Sequence, residues 1–237
     1  MPEDKKNVVE FKRPQRQSNG QNNMPKSKPP SEPILNLPPF TKVMIGLFLG
    51  LHTLFYFSAN FGYPTLSYLI FNNFAFVPAK LTEPTGIDVW APLSLITYAF
   101  LHGGWLHVGM NSLMMLALGA GFEKVMGAKN TALLFFGASL LAAVLHLVFA
   151  PTSPVPVVGA SGGIGGLFGG LLYLLYKRGQ LGNLRNFRLA LLVFIGVSII
   201  FGLLGGPGGA AIAWIAHIGG FLGGVLITYF MMKKSGA

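Results

Sequence analysis

Gly159-Ala160-Ser161-Gly162-Gly163-Ile164-Gly165-Gly166-Leu167-Phe168-Gly169-Gly170 is the stretch on which the reading of this chain turns. Seven of its 12 residues are glycine. In water such a run makes a poor helix, because glycine loses the most backbone freedom on ordering, whereas in a bilayer it lets two helix backbones approach closely. One hydroxyl, Ser161, stands at its head. Near the other end of the chain, Ala216-His217-Ile218-Gly219-Gly220-Phe221-Leu222-Gly223-Gly224 repeats the device around a single histidine. An ionisable side chain in hydrocarbon is costly enough to be a functional candidate by default. The two glycine faces make these segments natural packing partners, an arrangement that would bring Ser161 and His217 together.

Composition identifies the solvent. The 237 residues are 52% hydrophobic and only 10% charged, too apolar for a water-soluble domain of this length. The chain reads as an all-α integral membrane protein. Seventeen Lys and Arg against seven Asp and Glu would suggest nucleic acid in a soluble protein, because a basic surface collects phosphate. Their positions point to membrane topology instead, and no nucleic-acid partner is expected. The absence of cysteine excludes disulfides, thiolate nucleophiles and Cys-ligated metals.

A helix needs about 20 apolar residues to cross the hydrocarbon. Six stretches of that order run over 41–60, 105–122, 130–150, 160–177, 187–204 and 211–232. Between the first two, Phe61 to Thr97 is rich in Phe and Tyr but broken by Pro64, Pro78, Pro84 and Pro92, which predicts a long first outer loop. Basic residues are retained in cytoplasmic loops, and their distribution tests the count. Sixteen of the 17 fall on one side: the tail with Lys42, then Lys124 and Lys129, then Lys177, Arg178, Arg185 and Arg188, then Lys233 and Lys234. The other side holds only Lys80. Six spans with both termini cytoplasmic follow. Residues 1–40, polar, proline-rich and without the apolar core of a cleavable signal, are expected to be a disordered basic cytoplasmic tail. Its alternative is a basic arm on anionic headgroups. Residues 41–234 form the membrane domain, for which the bilayer is the constant partner and the oligomeric state is open.

This topology places Ser161 at the outer start of span four and His217 in the outer half of span six, at one depth. A serine in an apolar helix often does no more than bond a carbonyl one turn back. Gly-Ala-Ser-Gly-Gly also fits the G-x-S-x-G elbow of α/β-hydrolases, but the strand-turn-helix context of that elbow is missing. At the start of span two, His107 and Asn111 are four apart and share a helical face. With the Ser161 N–H they could form an oxyanion hole, while His102 would point elsewhere. A metal site built from His102, His107 and His217 is the competing reading, disfavoured because no acidic partner lies near; no metal or cofactor is expected. His52 and His146 carry no motif and default to packing.

These elements together resemble the rhomboid family of intramembrane serine proteases: His102, His107 and Asn111 in span two, Gly-x-Ser-Gly at Ser161, and Ala216-His217-x-x-Gly220-x-x-x-Gly224 in span six. The resemblance covers about Thr41 to Lys234. It implies a six-transmembrane-helix bundle of the basic bacterial type, in the inner membrane with its active site opening outward. Ser161 would be the nucleophile and His217 the general base and then acid, a dyad with no carboxylate behind the ring. His107 and Asn111 would support the oxyanion, Gly159 would allow the tight approach to the serine, and His102 and Glu123 would be structural. Substrates would be transmembrane proteins cut within or beside their spans. A related pseudoprotease that binds such clients without cutting is the alternative, and a channel or transporter is a third reading that the lack of polar span residues disfavours. Two positions depart from the family. Leu93-Ser94-Leu95-Ile96-Thr97 stands where the family often carries Trp-Arg, and Gly165 stands where some members carry a tyrosine against the catalytic histidine, leaving Phe168 as the residue expected to hold the imidazole.

Overall fold

The computed structural model describes residues 37–83, 88–181, 183, 185–186, 188–189, 191–196 and 213–235. Most of the tail, much of the fifth apolar stretch, the outer turn after it and the expected entry at Ala211 therefore lie outside the described residues. The elements are helical throughout: α1 (Pro39–Asn60), α2 (Pro64–Phe74), α3 (Ala79–Thr82), α4 (Ala91–Thr97) with a 3-10 turn Tyr98–Phe100, α5 (Trp105–Met114), α6 (Ala120–Phe149), α7 (Ser161–Lys177) and α8 (Ala213–Ser235). Residues 191–196 are also helical. Among the described residues, three stretches are long and apolar enough to cross a membrane: Pro39–Asn60, Trp105–Phe149 and Trp214–Lys234.

The second of these is 45 residues long, about 67 Å if straight and twice the hydrocarbon thickness. It is not straight. A five-residue π turn, Met115–Gly119, joins α5 to α6, and Gly127 breaks α6 with φ 78° and ψ 164°. The expected loop over 123–129 is thus reduced to one residue, because only glycine adopts that positive φ cheaply. Asn130 and Thr131 donate side-chain bonds back to the Met126 and Gly127 carbonyls, at 2.9 and 2.8 Å. The chain reverses there. Before the break, Trp105 lies 4.7 Å from the His52 ring and Glu123 reaches Thr41, so this half runs against α1. After it, Phe135 packs against both Phe40 and Phe48 of α1, at 6.2 and 6.3 Å between rings.

α1 begins at Pro39, two residues before its sequence-based start, since proline suits the first helical turn. Glu123 explains why that end can be buried. One carboxylate oxygen accepts the Phe40 N–H and the other accepts both the N–H and the hydroxyl of Thr41, each at 2.8 Å. A carboxylate at a helix N-terminus satisfies donors that no intrahelical carbonyl can reach. Glu123→Ala is expected to destabilise the fold by on the order of 2–4 kcal/mol, since it leaves buried donors unpaired. Thermal unfolding in detergent checks it; an unchanged midpoint would remove this role.

α7 packs antiparallel to the second half of α6 and parallel to α8. Gly162, Gly166 and Gly170 step along Ala142, Ala138 and Leu134 on one side. On the other they meet Gly220, Gly224 and Thr228, where a Cβ at Gly220 or Gly224 would collide with the Gly162 or Gly166 carbonyl. These positions are small because the backbones themselves are in contact, which in a bilayer supplies the packing attraction that water expulsion supplies elsewhere. Gly219 and Gly223 of α8 turn towards Leu145 and Leu141 of α6. The three helices form the tightest part of the fold, with α1 and the first half of the long helix against their other flank.

Candidate active site

Three separate segments build the site. The loop after α6 is tied down by a two-way bridge between Phe76 and Val157, with N···O distances of 3.1 and 2.7 Å, and then by the Gly159 N–H on the Tyr98 carbonyl at 2.9 Å. Gly159 has φ +116°, a conformation that side chains resist. It turns the chain so that Ser161 becomes the first residue of α7. As first residue, Ser161 has an N–H with no intrahelical acceptor, and no side chain caps this end. The positive end of the helix therefore faces whatever approaches the hydroxyl.

α8 brings the imidazole. His217 Nε2 lies 2.9 Å from Ser161 Oγ, which is hydrogen-bonding distance for a nucleophile and its base. The glycine contacts are the cause. With Gly162 against Gly220, each catalytic candidate stands within one turn of a direct backbone contact, so two ordinary side chains suffice to close the gap.

α5 supplies the third component. A Cβ at Gly159 would lie 2.6 Å from His107 Nε2 and 3.6 Å from Asn111 Nδ2, so both groups converge on the segment just before the serine. The Gly103 N–H donates to His107 Nδ1 at 3.4 Å. A neutral ring that accepts at Nδ1 carries its proton on Nε2, and here Nε2 is the atom aimed at the serine loop. Asn111 Nδ2 uses one hydrogen on the His107 carbonyl at 3.1 Å and keeps the other. His107 and Asn111 thus bring two donors to the segment that leads into Ser161, beside the free N–H groups at the start of α7.

His102 does not point away from this group. It is buried, with its ring 5.2 Å from His107 and 5.4 Å from Phe48, and so packs directly against the His107 ring. His52, from α1, packs edge-on against Trp105 and lines a cavity of about 470 Å³ with His102, Tyr56 and Phe71. His146 is buried beside Phe76. Among the described residues no group of three His, Cys, Asp or Glu could hold a metal ion.

Phe168 does not take the place expected of it. Its ring packs on Phe194 and Phe221, at 5.1 and 5.9 Å, and it is Phe194 that reaches Gly165. Tyr98 was equally unanticipated from the sequence. It is fully buried, its hydroxyl donates to the Ser139 carbonyl at 2.8 Å, and its own carbonyl holds Gly159. One signal was present, since it lies four residues before His102, but only the folded loop gives it a partner.

The Rhomboid domain profile matches residues 88–234, more than half of the chain. The protein belongs to the rhomboid family, a family of membrane-embedded proteins that are in general intramembrane serine proteases. No curated protein matches the chain.

Proposed function

We propose that this rhomboid-family protein is an active intramembrane serine endopeptidase that hydrolyses peptide bonds in or beside the transmembrane segments of other membrane proteins. The observation that carries the reading is the 2.9 Å contact between Ser161 Oγ and His217 Nε2. His217 Nε2 takes the Ser161 proton as Oγ bonds to the scissile carbonyl carbon. The carbonyl π electrons move onto oxygen, where the N–H groups of His107, Asn111 and Ser161 meet the charge. Collapse breaks the C–N bond, and His217 returns its proton to the leaving amine. Water then repeats the cycle on the acyl-serine. His102, Gly159, Gly220 and Gly224 take no part in bond making; they hold the donors, the serine loop and the helix pair.

The bundle in this reading has six spans, both termini cytoplasmic and the site opening outward, in the inner membrane of a bacterium. The described helices supply five of the six apolar stretches, with 191–196 inside the remaining one, 187–204. The basic residues at the ends of α7 and α8, Lys177, Lys233 and Lys234, support the inward placing of those ends. Because a substrate helix hides its carbonyls, preferred sites carry small or helix-breaking residues that let the strand unwind.

A fluorophosphonate probe tests the chemistry without a known substrate. The full chain in detergent or liposomes is expected to form a covalent adduct, and digestion with mass analysis should map it to Ser161. Absence of an adduct, together with binding of transmembrane clients that stay uncut, would replace the protease reading with that of a client-holding pseudoprotease.

A further inference from the structure

We propose that Phe194 is a positioning residue for the Ser161 and His217 dyad, a prop that fixes the roll of α8 against α7 one turn below the chemistry; the inference rests on the protease reading above. Gly165 is four residues after Ser161 and Phe221 is four after His217. A spacing of four returns to the same helix face, so these two residues lie beneath the two catalytic side chains. Phe194 touches both. A Cβ at Gly165 would lie 3.3 Å from its Cζ, and its ring stacks on Phe221 at 5.0 Å with 29° between planes.

The same point at Gly165 is 3.1 Å from the His217 carbonyl oxygen and 3.6 Å from the Phe221 nitrogen. The ring tip therefore abuts the place where the two catalytic helices are joined. α7 offers no side chain of its own at residue 165, and the Phe168 ring packs on the Phe194 and Phe221 rings. Phe194 belongs to neither catalytic helix; it enters from the helical segment 191–196. Without that ring, α8 gains room to roll towards the hollow at Gly165, and the Ser161 to His217 hydrogen bond lengthens or bends. Such bonds weaken steeply with distance and angle. The residue does not line the donor cluster of His107 and Asn111, so its loss acts on proton transfer rather than on substrate binding.

The test uses the full chain in liposomes with a transmembrane substrate, measuring kcat and KM separately beside the rate of fluorophosphonate labelling. Phe194→Ala is expected to lower kcat and the labelling rate together by about tenfold, with KM within about twofold. Phe194→Leu, which keeps bulk but loses the flat ring, is expected to lose about threefold and decides the matter if the alanine variant does not fold. Val193→Ala, at a neighbouring position 57% exposed, is the control and should match the wild type. Phe194 variants with wild-type kcat, a loss confined to KM, or an equal loss in Val193→Ala would overturn the proposal. If the wild type itself neither cleaves nor labels, the protease reading falls and this role with it; if the wild type is active and the Phe194 variants match it, only this role falls.

Discussion

Ser161→Ala is expected to lower kcat/KM for a transmembrane substrate by at least about 10³-fold, to the background of the assay, and His217→Ala to do the same. The two side chains share one proton. Removing the hydroxyl deletes the atom that bonds to carbon, and removing the imidazole leaves an alcohol with no base to take its proton. The double variant should be no worse than either single one, because groups that act as a unit are not additive. Neither change touches the glycine seam, so both variants should unfold near the wild-type temperature. Cleavage by Ser161→Ala at the wild-type rate would refute the mechanism outright.

Gly220→Ala should be almost as damaging, although the residue performs no chemistry. A methyl group there meets the Gly162 carbonyl, a backbone atom fixed within α7. A flexible side chain could turn aside; a helix backbone cannot, so α8 must move away. Gly220 lies three residues after His217 and Gly162 directly follows Ser161, and the displacement therefore falls on the dyad. A shift of about 1 Å is enough to cost about 10²-fold in rate, and overpacking of this kind costs about 1–3 kcal/mol in stability. Activity and thermal unfolding of Gly220→Ala, measured side by side, check both parts. A variant with wild-type activity would mean that the seam has slack which the backbone contacts deny.

The sequence was informative wherever one residue type has one physical meaning in a membrane. Glycine at four-residue spacing meant close helix approach, and α7 and α8 meet through those positions. Ser161 and His217 stood out because hydroxyls and imidazoles are conspicuous in hydrocarbon, and the structure sets them 2.9 Å apart. What could not be read depended on partners distant in the chain. Phe194 is one of 20 phenylalanines, and nothing local says that its ring fills the hollow at Gly165. Tyr98 acts partly through its carbonyl, an atom that every residue has. The expected loop at 123–129 shrank to Gly127 because hydropathy finds where apolar runs weaken, whereas the turn itself depends on a single φ angle. His102 was misdirected for a similar reason: five-residue spacing separates two side chains on a regular helix, but His102 precedes the first turn of α5 and is not bound by that geometry.

The constant offset of 58 residues between Gly162 and Gly220, Gly166 and Gly224, and Gly170 and Thr228 makes the α7 and α8 contact a toothed rack rather than a smooth rail. At the first two notches a missing side chain faces a backbone carbonyl, and at the third the Thr228 hydroxyl fills the gap at Gly170. Sliding one helix along the other has no gentle intermediate: the next position that fits is a full four-residue step away, about 6 Å, where the serine would face no imidazole at all. Sliding therefore offers no partly engaged pair of Ser161 and His217, and the register in which the two side chains meet is set in discrete steps by the phase of the two small-residue repeats.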